Sequence, residues 1–252
     1  MLTTIRYLLL TALRDWLFLA LPLGVIAIMG LSLFLGSTSL VEEREMALVL
    51  STGLSRIYIM IGLILFICFH VRRSFENREI EMFLSKPMSR ASFVLCYWIG
   101  FSVIATLFVL FLFIMLLLFI PTNLMGFIGF AVSMFVEALI VTAFALAAAL
   151  IMQSAVSAVL ASFGFYIVGR MMGYMLAFLD RPGALNMNLH HWDDYILAGT
   201  SMLLPRLDLF GKTIWLLRGF EISAVWPFLL QAAVYIPLLL LMGMYDFTRR
   251  QF

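Results

Sequence analysis

The chain has 252 residues, of which 64% are hydrophobic and 12% charged, and its mean hydropathy is +1.10. That composition excludes an ordinary soluble domain and places the chain among multi-spanning membrane proteins. The formal net charge of +2 gives no basis for nucleic-acid binding, and the two cysteines, Cys68 and Cys96, lie in apolar runs, without a disulfide framework or metal-ligand spacing.

A helix needs roughly 20 apolar residues to cross about 30 Å of hydrocarbon, and this length organises the chain. Residues 2–13 carry Arg6, are followed by Arg14, and lack a small-residue cleavage site before the next apolar run. They read as an interfacial amphipathic helix and not as a removable signal peptide. A first span is expected at 16–35, between Asp15 and Gly36-Ser-Thr-Ser, and a second at 47–69. Arg56 lies inside the second span, where it could pair with an acidic residue at similar depth. The stretch Ser51-Thr-Gly-Leu-Ser55 is polar enough to mark a later membrane edge, so the expectation is that Arg56 snorkels to the interface.

Residues 71–93, VRRSFENREIEMFLSKPMSRASF, hold nearly the only dense charge in the chain. Phe75, Met82 and Phe83 fall at i, i+7 and i+8, and Ile80, Phe83 and Leu84 at i, i+3 and i+4, while Glu76, Asn77, Arg78 and Glu81 are polar. A short amphipathic helix is predicted, running to about Leu84 and stopped before Pro87. The remaining spans are expected at 94–120, 127–152, 156–179 and 224–244, separated by a Pro121-Thr-Asn turn, by Gln153-Ser-Ala, and by a long loop at 180–221.

Glu137 and Arg170 sit in neighbouring spans, each roughly 14 to 15 Å below the same end at 1.5 Å per residue. Equal depth favours an ion pair between them, the alternative being that one or both line a polar translocation path. In the long loop, His190-His-Trp-Asp-Asp194 invites a metal, but adjacent side chains diverge and the preferred reading is a polar interfacial stretch with Trp192 and Tyr195 at headgroup level. Residues 195–204 and 207–217 are apolar but too short to span, which suggests short helices that dip into the outer leaflet or cap a dimer.

Positive charge orients the spans. With the N-terminus inside, the inner segments hold nine cations (Arg6, Arg14, Arg72, Arg73, Arg78, Lys86, Arg90, Arg249, Arg250) and the outer ones five (Arg44, Arg181, Arg206, Lys212, Arg218). The excess puts both termini and the 71–93 segment in the cytoplasm.

The run Glu81-Met-Phe-Leu-Ser-Lys-Pro-Met-Ser-Arg90, leading into a span, resembles the cytoplasmic loop of ABC-2 type transporter permeases, in particular NosY-like transmembrane subunits. The interfacial first helix, the six spans, Leu204-Pro-Arg-Leu-Asp-Leu-Phe210 before the last span, and the terminal Phe247-Thr-Arg-Arg-Gln-Phe252 agree with that resemblance. A departure is Arg78-Glu79, where members of that family have a Gly-Thr pair. The resemblance implies an all-helical permease in a bacterial inner membrane, which pairs with a second permease copy in surrounding lipid. It also implies two copies of a cytoplasmic ATPase, holding ATP and Mg, docked on coupling helices. Here the docking residues would be Phe75, Glu76, Arg78, Glu79, Met82, Phe83 and Lys86. Export of a lipid-like or other envelope-directed substrate is the implied direction, with the cargo itself left open.

The chain is not expected to supply the ATPase or any other catalysis. Its Gly211-Lys-Thr would need a glycine at position 206 to form a phosphate loop, and Arg206 stands there. An intramembrane enzyme is the competing class, but Gly-x-Ser-x-Gly and His-Glu-x-x-His are both absent from the sequence. A passive channel is the third class, and the apolar wall from Val103 to Ile120 counts against it.

Overall fold

The computed structural model describes residues 2–38, 43–77, 90–119, 124–179, 205–219 and 225–249. Among them all the regular structure is helical, as expected for a chain that must satisfy its own backbone in lipid. The helices are α1 (Leu2–Leu13), α2 (Trp16–Ser37), α3 (Glu43–Glu76), α4 (Arg90–Phe119), α5 (Leu124–Ile151), α6 (Ala155–Leu179), α7 (Ile214–Arg218) and α8 (Val225–Arg249), with a 3₁₀ turn at Leu207–Leu209. Six of them, α2 to α6 and α8, are long and apolar enough to cross a membrane, and the chain is read as a multi-pass membrane protein.

Helix α5 forms the centre. The most apolar stretch of α5 is 78% buried, against 22% for α2 and for α8, so α5 is wrapped by protein while the other two present apolar side chains outward. It packs on α3, α4, α6 and α8. Its second half, rich in alanine at 143, 145 and 147–149, lets α8 approach closely: a Cβ added to Gly243 would meet the Ala147 Cα at 3.3 Å. Small residues at a crossing are how membrane helices gain packing without a hydrophobic driving force. The α2–α3 contact uses the same device, with Tyr58 lying over Gly24 and donating its hydroxyl to the Ala20 carbonyl at 2.9 Å.

The ends of the helices define two faces. On one, Asp15 caps α2 by accepting from the Leu17 N–H at 3.2 Å, and its other oxygen takes the Arg73 guanidinium of α3 at 3.2 Å. Arg90, opening α4, donates to the Phe247 and Thr248 carbonyls at 3.2 and 3.1 Å, a cation at the negative end of α8. Phe93 stacks on Phe247 with ring centroids 5.5 Å apart, and Phe75 meets the same ring edge-on at 6.4 Å. The beginnings of α2 and α4 and the ends of α3 and α8 therefore share one face. The 205–219 segment lies at the other, against α5 and α6.

One expectation changes here. The charged 71–93 segment is not wholly a linker. Helix α3 runs unbroken through Glu76, with Val71 and Ser74 buried and Arg72 paired to Glu76 one turn on at 3.0 Å. Nothing in that stretch breaks a helix, so the span continues past its apolar core. Helix α4 is described from Arg90 onward, so Arg90 to Phe93 also belong to a long helix. Phe75 thus belongs to the bundle, half-buried against Phe247, rather than to a separate amphipathic helix. The helix expected at 2–13 is present as α1, and it packs on the bundle through Leu8 and Ala12, which are buried, Leu8 lying against Gly100 of α4.

Candidate functional site

A cluster of charged side chains occupies the part of the bundle nearest the 205–219 segment. Helix α3 contributes Arg56, α5 contributes Ser133 and Glu137, and α6 contributes Tyr166 and Arg170. Each of the last two pairs is spaced i, i+4, so both members fall on one helix face. Arg56 donates through Nε to Glu137 Oε2 at 2.7 Å, and its Nη2 donates to the same oxygen. Its Nη1 donates to the Gly211 carbonyl at 2.6 Å. Arg170 Nη1 lies 3.9 Å from Glu137 Oε1 and donates to the Leu207 and Phe210 carbonyls at 2.7 and 3.1 Å. The Gly211 N–H donates to Ser133 Oγ at 2.6 Å.

Burial makes these contacts consequential. Glu137 is fully buried and Arg56 is 2% exposed, whereas Arg170 is 33% exposed. An ionised side chain in such surroundings is tolerated only when it is paired and its remaining donors are satisfied. Arg56 meets that condition with one carboxylate oxygen and one carbonyl. Glu137 meets it on one side only: Oε1 has no hydrogen-bond partner among the described residues, nor has the buried Tyr166 hydroxyl. Two guanidiniums against one carboxylate leave one positive charge in excess.

The expectation that Arg56 snorkels is overturned. Ser51 and Thr52 return their hydroxyls to the Leu48 carbonyl one turn back, at 3.1 and 2.6 Å, and both are fully buried. Their polarity is spent inside the helix and marks no membrane edge. Glu137 therefore has its hydrogen-bonded partner in Arg56, 81 positions away, while Arg170 stands at the limit of ion-pair distance and turns its donors to backbone carbonyls.

The carbonyls that Arg56 and Arg170 hold all belong to residues 207–211, so the cluster fastens that segment to the bundle. Leu207, Phe210 and Leu216 are buried beside it. Gly211 has φ +51°, and a Cβ there would lie 2.5 Å from Arg56 Nη1. The Gly-Lys-Thr run is thus a docking turn. The fit continues along the segment: a Cβ on Gly126 of α5 would meet the Trp215 carbonyl, and one on Gly173 of α6 the Asp208 carboxylate. Between α6 and the segment a cavity of about 410 Å³ is lined by Arg170, Tyr174, Asp208, Lys212 and Thr213, among others.

Ser133, Tyr166 and Gly211 escape a reading by hydropathy alone. The i, i+4 spacing of Ser133 to Glu137 and of Tyr166 to Arg170 was the available signal for two of them. Of the ATPase-contacting candidates, Phe75 lies against Phe247 and Glu76 pairs with Arg72. Arg78, Glu79, Met82, Phe83 and Lys86 fall outside the described residues, as does His190 to Asp194. Among the described residues no three His, Cys, Asp or Glu side chains gather as a metal site would require. Compared with known proteins, the chain matches no family model and no curated sequence.

Proposed function

We propose that the chain is the transmembrane subunit of an ABC-2 type exporter in a bacterial inner membrane, with both termini cytoplasmic and a separate ATPase docked on the 77–89 connection. The observation that carries this reading is the sequence Glu81-Met-Phe-Leu-Ser-Lys-Pro-Met-Ser-Arg90, which joins two membrane-length helices whose adjoining described ends, at Arg73 and Arg90, lie on the face shared by the start of α2 and the end of α8. In this reading the permease works as a dimer, with ATP and Mg bound by the two partner ATPases and a lipid-like or other envelope-directed substrate moved outward.

The architecture supports a transmission route. Helix α3 leaves the connection at Glu76 and reaches Arg56 roughly 30 Å away, at 1.5 Å per residue. The half of α3 remote from the connection is thereby bonded, through Arg56, to Glu137 and the Gly211 carbonyl. Closure of two nucleotide-bound ATPases would displace the connection, and a rigid α3 would carry that displacement to the opposite face. That is the rocking of packed helices by which transporters alternate access.

Docking of a helix into a groove rests on a few apolar anchors, and Met82 and Phe83, among the apolar residues Ile80, Met82, Phe83, Leu84 and Met88 of the connection, are assigned that role. Phe83→Asp is expected to abolish co-purification of the Walker-motif ATPase with the tagged permease, while the permease keeps wild-type yield and melting temperature. An unchanged ATPase-to-permease ratio would remove the docking assignment.

A further inference from the structure

The excess positive charge of the buried cluster has a direction. Glu137 accepts both its hydrogen bonds from Arg56, and Arg170, a third exposed, is the cluster member that lines the 410 Å³ cavity. Lys212 lines the same cavity and makes no ion pair among the described residues. Among the described residues the one carboxylate in the lining, Asp208, is taken by Arg206 at 3.1 Å. The described lining is therefore cationic, with the hydroxyls of Tyr174 and Thr213 as additional donors. Its volume falls in the range of roughly 300 to 1,000 Å³ typical of small-molecule sites. Tyr174 is 78% exposed on the outside of the bundle, so the cavity opens towards the surroundings of α6 and is not sealed within the core.

We propose that this cavity binds an anionic phosphate group, that of a lipid headgroup or of a soluble phosphate, between the Arg170 guanidinium and the Lys212 ammonium. Phosphate suits the donors: a planar guanidinium and an ammonium with three donors are the side chains that hold its oxygens through charge-assisted hydrogen bonds. Binding there neutralises the charge that Glu137 leaves uncompensated, and so couples occupancy of the cavity to the seating of residues 207–211. The site requires no ATPase and stands whether or not the transporter assignment holds.

The test uses the purified full-length chain in phosphatidylcholine nanodiscs. One arm measures retention of phosphatidylglycerol over phosphatidylcholine by native mass spectrometry. The other follows the melting temperature as inorganic phosphate replaces chloride at constant ionic strength. Lys212→Gln is expected to weaken the wild-type preference about tenfold, the value of one charge-assisted contact. Lys212→Arg is expected to keep it, and Arg72→Gln, which removes the same charge on the opposite face, to change it less than about twofold. Retained phosphatidylglycerol with no response to phosphate identifies a headgroup, and saturable stabilisation by phosphate identifies a soluble anion. Absence of preference in both arms, or equal losses in Lys212→Gln and Arg72→Gln, overturns the proposal.

Discussion

Glu137→Ala is expected to be the most damaging single substitution in the membrane domain, lowering stability by about 3–5 kcal/mol. The carboxylate is fully buried and is the only acid that Arg56 touches among the described residues. Removing it leaves a guanidinium that is 2% exposed without a counter-charge, and with Arg170 as a neighbour of like sign. Arg56→Ala should cost less, because Glu137 keeps Arg170 within 3.9 Å. Arg170→Ala should cost least of the three, since its head is partly exposed and the stronger pair survives it. Adding Arg56→Met to Glu137→Ala should recover part of the loss, because an apolar side chain in a buried site is less costly than an unpaired charge. Thermal unfolding in detergent, followed by tryptophan fluorescence, gives the order. A Glu137→Ala protein as stable as wild type, or an order led by Arg170, would show that the cluster is solvated and does not bear on stability.

The second large effect is expected at Gly211. Valine there must adopt φ near +51° with a Cβ pressed on the Arg56 guanidinium, so steric and conformational penalties coincide. A β-branched residue in that region is a genuine outlier, and the left-handed conformation alone costs about 1–2 kcal/mol. We expect Gly211→Val to release the segment locally, since a displaced turn withdraws the Gly211 carbonyl from Arg56 and the Gly211 N–H from Ser133. Limited proteolysis should then cut within residues 205–219 at least tenfold faster than in wild type, a factor that corresponds to about 1.4 kcal/mol of local opening. The six long helices should stay protected. Equal cleavage rates would mean that the turn at Gly211 is not what holds the segment.

The membrane class and the number of spans were legible in the sequence because both are carried by runs of apolar residues, and each expected span lies within or close to a helix of the structure. Boundaries were less legible where polar residues continue a helix. Arg72, Arg73 and Glu76 look like a loop by hydropathy, yet they ride on the last two turns of α3, where Arg72 pairs with Glu76 and Arg73 reaches Asp15. The charge cluster was half legible. Depth arithmetic brought Glu137 and Arg170 to one level, but the partner that hydrogen-bonds Glu137 was discounted because Ser51, Thr52 and Ser55 imitate a membrane edge. Whether a hydroxyl faces water or its own helix depends on what packs outside it, and that information lies in another span. Gly211 shows the same limit, since its donor and its acceptor come from α3 and α5, more than 70 positions away.

Two faces of one bundle are joined in the proposed mechanism: a charged connection between α3 and α4, and a buried cluster on α3, α5 and α6 that fastens residues 207–211. An ATPase gripping the connection has α3 as its lever on that cluster, which is why the proposed coupling reaches beyond the docking site. The measurement that tests the central claim most directly is ATP hydrolysis by a candidate Walker-motif ATPase from the same source, reconstituted in liposomes with and without this chain. Hydrolysis is expected to rise at least about tenfold when the permease is present, and Phe83→Asp to return it to the level of the ATPase alone. Equal hydrolysis with wild-type permease, with Phe83→Asp and with no permease would contradict the coupling of this chain to an ATPase.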